Sequence, residues 1–110
     1  MITWTVNIRP TAEVDIRDRF EQIRSESPIN AENWYPDLIG AIKTLENLAL
    51  RCPIAEEDAE FGLGIRHLVV GRYRVLYLVD DSSVEVLHIR HQRHSRVLLS
   101  NPAGTSVSGR

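Results

Sequence analysis

The chain has 110 residues, which fits one compact domain, and 43% of them are hydrophobic, enough for a real core. Charged residues make up 25%, ordinary for a soluble globular protein. The single cysteine, Cys52, excludes an internal disulfide framework and a cysteine-based zinc site, and fits a reducing cytosol.

The net charge of −2 hides an asymmetry. Residues 1–62 hold six Lys/Arg and twelve Asp/Glu, giving −6, and residues 63–110 hold seven Arg and three Asp/Glu, giving +4. All four histidines lie in the second part. Either the C-terminal half faces an anion, or the two halves neutralise each other across the fold. The acidic half argues against a protein that coats nucleic acid with its whole surface. No apolar run approaches the roughly 20 residues of a membrane span. MITWTVNIRP lacks the basic and apolar blocks of a signal peptide, so a cytoplasmic protein with no membrane partner is expected.

In chain order, Ile2–Ile8 alternates, with Ile2, Trp4, Val6 and Ile8 on one face of a half-buried strand. Pro10 and Thr11 open a helix with Thr11 as expected N-cap and Glu13 and Asp15 in the first turn. Ala12, Ile16, Phe20 and Ile23 form its apolar stripe, opposite Arg17, Glu21 and Arg24, and it ends near Ser25–Pro28. A second stripe, Trp34, Leu38, Ala41, Ile42, Leu45 and Ala49, predicts a helix to about Leu50, closed by Pro53. With Asn33 as N-cap, Pro36 falls in the first turn; a start at Asn30 predicts a kink there. The two helices read as an antiparallel hairpin.

An acidic loop follows, AEEDAEFGLG (Ala55–Gly64), whose two glycines suggest that Phe61 is steered to a specific place. Three strands come next: Gly64–Val70, Tyr73–Asp80 and Ser83–His91. The intervening turns are short enough to force antiparallel hairpins. Tyr73–Asp80 is nearly all apolar and reads as central, covered on both faces. Yet no helix is evident after the third hairpin strand, so the face away from the helices has no obvious cover. Residues 1–99 read as one domain, and 100–110 as a polar tail, a linker or docking segment. The class is α+β, in the order β-α-α-β-β-β, with a helical hairpin on one face of a small antiparallel sheet.

Cationic residues crowd the most β-like segment. Arg72, Arg74, Leu76 and Leu78 share one face of the central strand, and Tyr73, Val75, Tyr77 and Val79 the other. Arg74 needs an anionic partner, because burying its charge alone is expensive. That partner is either an internal carboxylate, such as Glu85 or an acid of the first helix, or a ligand phosphate. Arg90, Arg93 and Arg96, with His91 and His94, mark where the last strand leaves the sheet, as a solvated end or a cationic rim. A histidine there is suited to proton transfer near neutral pH. His88 and His91 point to opposite faces, so the spacing of His88, His91 and His94 disfavours a metal site, and no cofactor is indicated.

Ile65–His94, with Arg-x-Leu-like and Gly-x-Tyr-Arg-Val-x-Tyr strands and a terminal Ile-Arg-His-x-Arg, resembles the core of the RelE/ParE superfamily of toxins from type II toxin–antitoxin (plasmid stabilisation) systems. Trp34–Asp58 is similar to the second helix and following loop of such proteins, and the likeness covers about residues 2–98. It implies growth arrest and a cognate acidic antitoxin. RelE-like members cleave ribosome-bound mRNA without a metal, using Lys, Arg and a late Tyr while the 2′-hydroxyl attacks. Arg74 matches that branch's arginine. The strand lysines are replaced by Ile65-Arg66-His67, and Leu98 stands at the late tyrosine. Arg66, His67, His91 and Arg93 are the possible substitutes; if the chain is a nuclease, Arg74, His91 and Arg93 are the catalytic candidates. ParE-like members inhibit DNA gyrase without an active site, and the terminal motif is closer to that branch. The residues expected to meet antitoxin or target are Arg66, Arg72, Arg74, Arg90, His91, Arg93 and His94.

Overall fold

A computed structural model describes residues 3–92; Arg93, His94, Arg96, Leu98 and the 100–110 tail lie outside the described residues. The elements are β1 (Thr5–Ile8), α1 (Pro10–Glu26), α2 (Pro28–Lys43), α3 (Leu45–Leu48), α4 (Asp58–Phe61), β2 (Arg66–Val70), β3 (Tyr73–Val79) and β4 (Ser83–His91). The sheet order is β1-β4-β3-β2. β2, β3 and β4 pair antiparallel through short turns, as expected. β1 joins β4 in parallel, so the sheet is mixed; the helical hairpin provides the long crossover that parallel neighbours need.

The first helix starts two residues earlier than Thr11 predicts. Arg9, in extended conformation, is the N-cap, and Pro10 takes the first helical position, where a missing N–H is harmless. Thr11 has other work, because β1 stops at Ile8 opposite Val86. Beyond that point β4 has a bare edge, and side chains of α1 cover it. The Thr11 hydroxyl donates to the Leu87 carbonyl at 2.7 Å. The Ile89 N–H donates to Asp15 Oδ2 at 3.0 Å, and the same oxygen lies 2.9 Å from His88 Nδ1. Backbone groups that would be orphaned are thereby satisfied.

The second helix also starts earlier than either asparagine. Ser27 closes α1 with its N–H on the Ile23 carbonyl, and its hydroxyl accepts the Asn30 N–H at 3.3 Å to open α2. Pro28 therefore holds the first position and Pro36 lies inside the helix. Pro36 deprives the Glu32 carbonyl of a helical partner; both residues are exposed, so water can satisfy it. The helix breaks at Thr44, and α3 continues the stripe with Leu45.

The main core lies between the helices and the sheet. Leu38, Ile42, Leu45 and Ala49 pack with Trp4, Val75, Tyr77, Val84, Val86 and Ile89. Val86 and Ile89 share a face only because β4 bulges at Leu87: Tyr77 pairs with Val86, Leu76 with His88. Tyr77 is fully buried, and its hydroxyl donates to the Ala49 carbonyl at 2.7 Å. Burial, with Cys52 beside it, pushes its ionisation far above the ordinary tyrosine range.

The second face of the sheet is not bare. Ala55 and Ile65 pack on Leu76, flanked by Leu78 and Leu87. The segment read as an acidic loop is folded back over the strands and carries the short helix α4. Among the described residues no helix is long and apolar enough to cross a membrane.

Replacing Tyr77 with Phe removes the donor to Ala49 and strands a buried carbonyl. The expected loss is about 1–3 kcal/mol of unfolding free energy in urea titration, without a change in slope.

Candidate functional site

Arg74 is the second residue of β3, a strand with neighbours on both sides, and is 3% exposed. Its neighbour in register on β4 is Arg90, and like charges directly opposite repel. Glu57, from the loop above, resolves both problems. One Arg74 N–H donates to Glu57 Oε1 at 3.1 Å and another donates to Oε2, in a two-point carboxylate–guanidinium fork. Arg90 Nε lies 3.8 Å from the same Oε2. On the β2 side, His67 Nδ1 is 3.0 Å from Arg74 Nη1. Burial and the neighbouring Arg74 charge both lower the pKa of His67, so the ring is neutral at pH 7 and its bare Nδ1 accepts from the guanidinium. Burial alone would raise the Glu57 carboxyl. Its bonds to Arg74 and to its own backbone, with the charges of Arg74 and Arg90, hold it below the usual range instead.

Glu57 is placed by its neighbour. The N–H groups of Leu63, Gly64 and Ile65 donate to Asp58 Oδ1 at 2.8, 2.9 and 3.0 Å. Such a nest of donors holds the Asp58 carboxyl below its usual range, the Ile65 N–H contributing most. Wrapping three N–H groups around one oxygen requires left-handed backbone, supplied by Gly62 at φ 63° and Gly64 at φ 85°. The base of the loop is closed by the Ala55 N–H on the Ile65 carbonyl at 2.7 Å. Phe61 and Leu63 point outward, 61% and 63% exposed.

The other predicted site residues scatter. Arg66 faces the helix side, where Nη1 donates to the Cys52 carbonyl at 2.5 Å. Arg72 is exposed in the β2–β3 turn, and its carbonyl accepts the Gln92 N–H at 2.7 Å. His91 pairs with Tyr73 in register, and the two rings meet edge to face at 5.1 Å. Tyr73 also meets Trp34 at 5.4 Å and lies under the Arg19 guanidinium at 5.7 Å. The structure thus gathers Arg74, Arg90 and His67 on one face and leaves Arg66 and His91 on the other. Arg93 and His94 lie outside the described residues. The expected partner of Arg74 was Glu85 or an acid of the first helix; instead Glu85 accepts from Asn7 at 2.8 Å and Ser83 at 3.1 Å, Asp15 of α1 serves Ile89, and Glu57 takes Arg74. Glu57 and Asp58 were missed; four acids within five residues were the available signal.

Four strands with a helical hairpin on one face make an α+β fold. The model of the ParE toxin of type II toxin–antitoxin systems (parDE) matches residues 6–96, and the chain belongs to that family. In structure it is similar to a chain of the chromosomal ParDE toxin–antitoxin system from P. aeruginosa, with a TM-score of 0.69 at 16% identity over 81% of this chain and 96% of that one. It is also similar to a chain of the RelBE2 toxin–antitoxin complex from Mycobacterium tuberculosis, with a TM-score of 0.52 at 26% identity over 82% of this chain and 99% of that one. No curated protein matches it in sequence.

Replacing Glu57 with Gln leaves the Arg74 charge without its counterion. Allowing for the partial exposure of Glu57, a loss of roughly 2–4 kcal/mol is expected, and Glu57→Gln/Arg74→Met should recover most of it in denaturant titration. Acid should act the same way. The folded pKa values of Glu57 and His67 are both depressed, so their contribution is complete above the unfolded values and lost as pH falls. The melting temperature should fall first below about pH 6.5, where His67 begins to take a proton in the unfolded chain, and again below about pH 4.5 through Glu57, and His67→Phe should flatten the first step.

Proposed function

We propose that the chain is a ParE-like toxin that arrests growth by inhibiting DNA gyrase in the cytoplasm. In this reading it stabilises the replicon that encodes it and is neutralised by a cognate acidic antitoxin. The observation that carries the choice between gyrase and ribosome-bound mRNA is the state of Arg74. A nuclease of the RelE type needs its central-strand arginine open to a scissile phosphate. Here the guanidinium is buried and forked onto Glu57. His91, the candidate proton carrier, pairs in register with Tyr73, one position from Arg74, so the two side chains take opposite faces and cannot share one phosphate. A binding toxin needs neither. The likeness to the RelBE2 chain favours mRNA cleavage as the second reading, in which Arg74, His91 and Arg93 would act without a metal.

The antitoxin would be partly disordered when free and fold over the toxin, its acids meeting the cations left exposed. Of the expected set, Arg72 and Arg90 are exposed among the described residues. Arg66, Arg74, His91, Arg93 and His94 complete the proposed contact set, with Arg74 reachable only if Glu57 withdraws.

The deciding experiment is induction in bacteria with mapping of new RNA 5′ ends, beside a supercoiling assay with purified gyrase. Growth arrest, intact mRNA and lost supercoiling are expected. Cuts inside translated codons would transfer the chain to the nuclease reading. Growth without arrest would mark a homologue that keeps only antitoxin binding.

A further inference from the structure

Residues 56–64 form a turn with an order of its own. Its base is pinned where the chain enters β2: Ile54 bridges Arg66, the His67 N–H donates to the Pro53 carbonyl at 3.1 Å, and the Ala55 N–H closes the ring on Ile65. Inside, Asp58 gathers its three N–H groups, and the Gly62 N–H returns to the Asp58 carbonyl at 2.8 Å. Among the described residues none from 56 to 64 is buried; the apolar contacts belong to Ala55 and Ile65 at the base. What ties the turn to β3 and β4 is the Glu57 carboxylate, on Arg74 and Arg90. Withdrawing that carboxylate breaks no bond of the nest and takes no apolar side chain from the core.

The tie is also electrically incomplete. Two guanidiniums share one carboxylate, which leaves one positive charge in excess. Arg90, exposed and 3.8 Å from Glu57 Oε2, is beyond hydrogen-bond distance of it. A phosphate monoester carries close to two negative charges at neutral pH and offers three oxygens to arginine forks, so it matches both cations where a carboxylate matches one. We infer that Arg74 and Arg90 form a site for a phosphate monoester, which Glu57 fills as a built-in competitor until the turn 56–64 lifts away as a unit. The exposed carboxylates of Glu56 and Glu60 leave with the turn. His67 does not meet the ligand; its Nδ1 accepts from Arg74 Nη1 and holds the guanidinium in place. The inference goes beyond the toxin reading, which needs no ligand here. It also differs from the nuclease reading, in which the group at Arg74 is a singly charged diester.

The test titrates phenyl phosphate against the full chain, Glu57→Gln and Arg90→Gln, with binding read from the NMR signals of the His67 ring. Dimethyl phosphate, a singly charged diester, is titrated beside it. A tethered carboxylate competes at an effective concentration of roughly millimolar or more, so Glu57→Gln should bind phenyl phosphate at least about ten-fold more tightly than the unaltered chain. Arg90→Gln changes an exposed side chain, so it should fold, and it should bind at least about ten-fold more weakly. The amides of Leu63, Gly64 and Ile65 should stay protected from exchange in the complex, because the nest moves intact. Absence of binding by the unaltered chain and Glu57→Gln alike overturns the site, and equal affinity of the two overturns Glu57 as its competitor. Dimethyl phosphate bound as tightly as phenyl phosphate overturns the match to a doubly charged ligand in favour of the scissile phosphate. Loss of amide protection in the complex overturns the movement as a unit. If Glu57→Gln does not fold, the unaltered chain and Arg90→Gln decide, and equal affinity of those two overturns the site. Gyrase inhibition stands or falls separately, on the supercoiling assay.

Discussion

A guanidinium on the central strand of a small sheet has no water to lean on, and its counterion decides how the surrounding chain is arranged. Arg74 is buried, sits opposite Arg90 and lies 3.0 Å from His67 Nδ1. Without a carboxylate between them, two neighbouring cations would oppose strand pairing. Glu57 brings that carboxylate only if the preceding loop folds back over the sheet. It folds back because Asp58 can gather three backbone N–H groups and two glycines allow it. One electrostatic demand in β3 thus fixes the course of ten residues that have no regular structure of their own beyond a single helical turn.

The same economy appears at the other side of β4. β1 is four residues long and β4 nine, so a length of β4 edge is left without a strand. Thr11 and Asp15 serve as partners there, which is why an apparently ideal capping threonine does not cap α1. The Leu87 bulge belongs to this region too. It restores the inward phase of Ile89 after Val86, so the core continues along a strand whose alternation is broken.

Periodicity made the main elements legible: the strand alternation, the two apolar stripes and the short turns lead to the α+β fold that forms. What it could not reveal was anything set by a distant partner. Thr11 fits the capping rule locally, and only the missing strand beside Leu87 overrides it. Pro36 favours a later helix start, and only the exposed carbonyl of Glu32 makes an interior proline tolerable. The need of Arg74 for an anion was readable from its place in an apolar strand. The identity of that anion was not, because Glu57 is 17 residues upstream in a stretch whose composition resembles a solvated connection.

Charge asymmetry in the sequence has two consequences in space that pull in different directions. Part of it is internal neutralisation: the acidic first half supplies Glu57 to the basic second half, which removes Arg74 from the surface and screens Arg90. The remainder stays exposed, with Arg72 and Arg90 at the sheet and Glu56 and Glu60 on the loop whose Glu57 reaches Arg90. Left unpaired, Arg74 would add a second cation directly opposite Arg90; its fork onto Glu57 neutralises it and leaves Arg90 as the exposed member of that register pair.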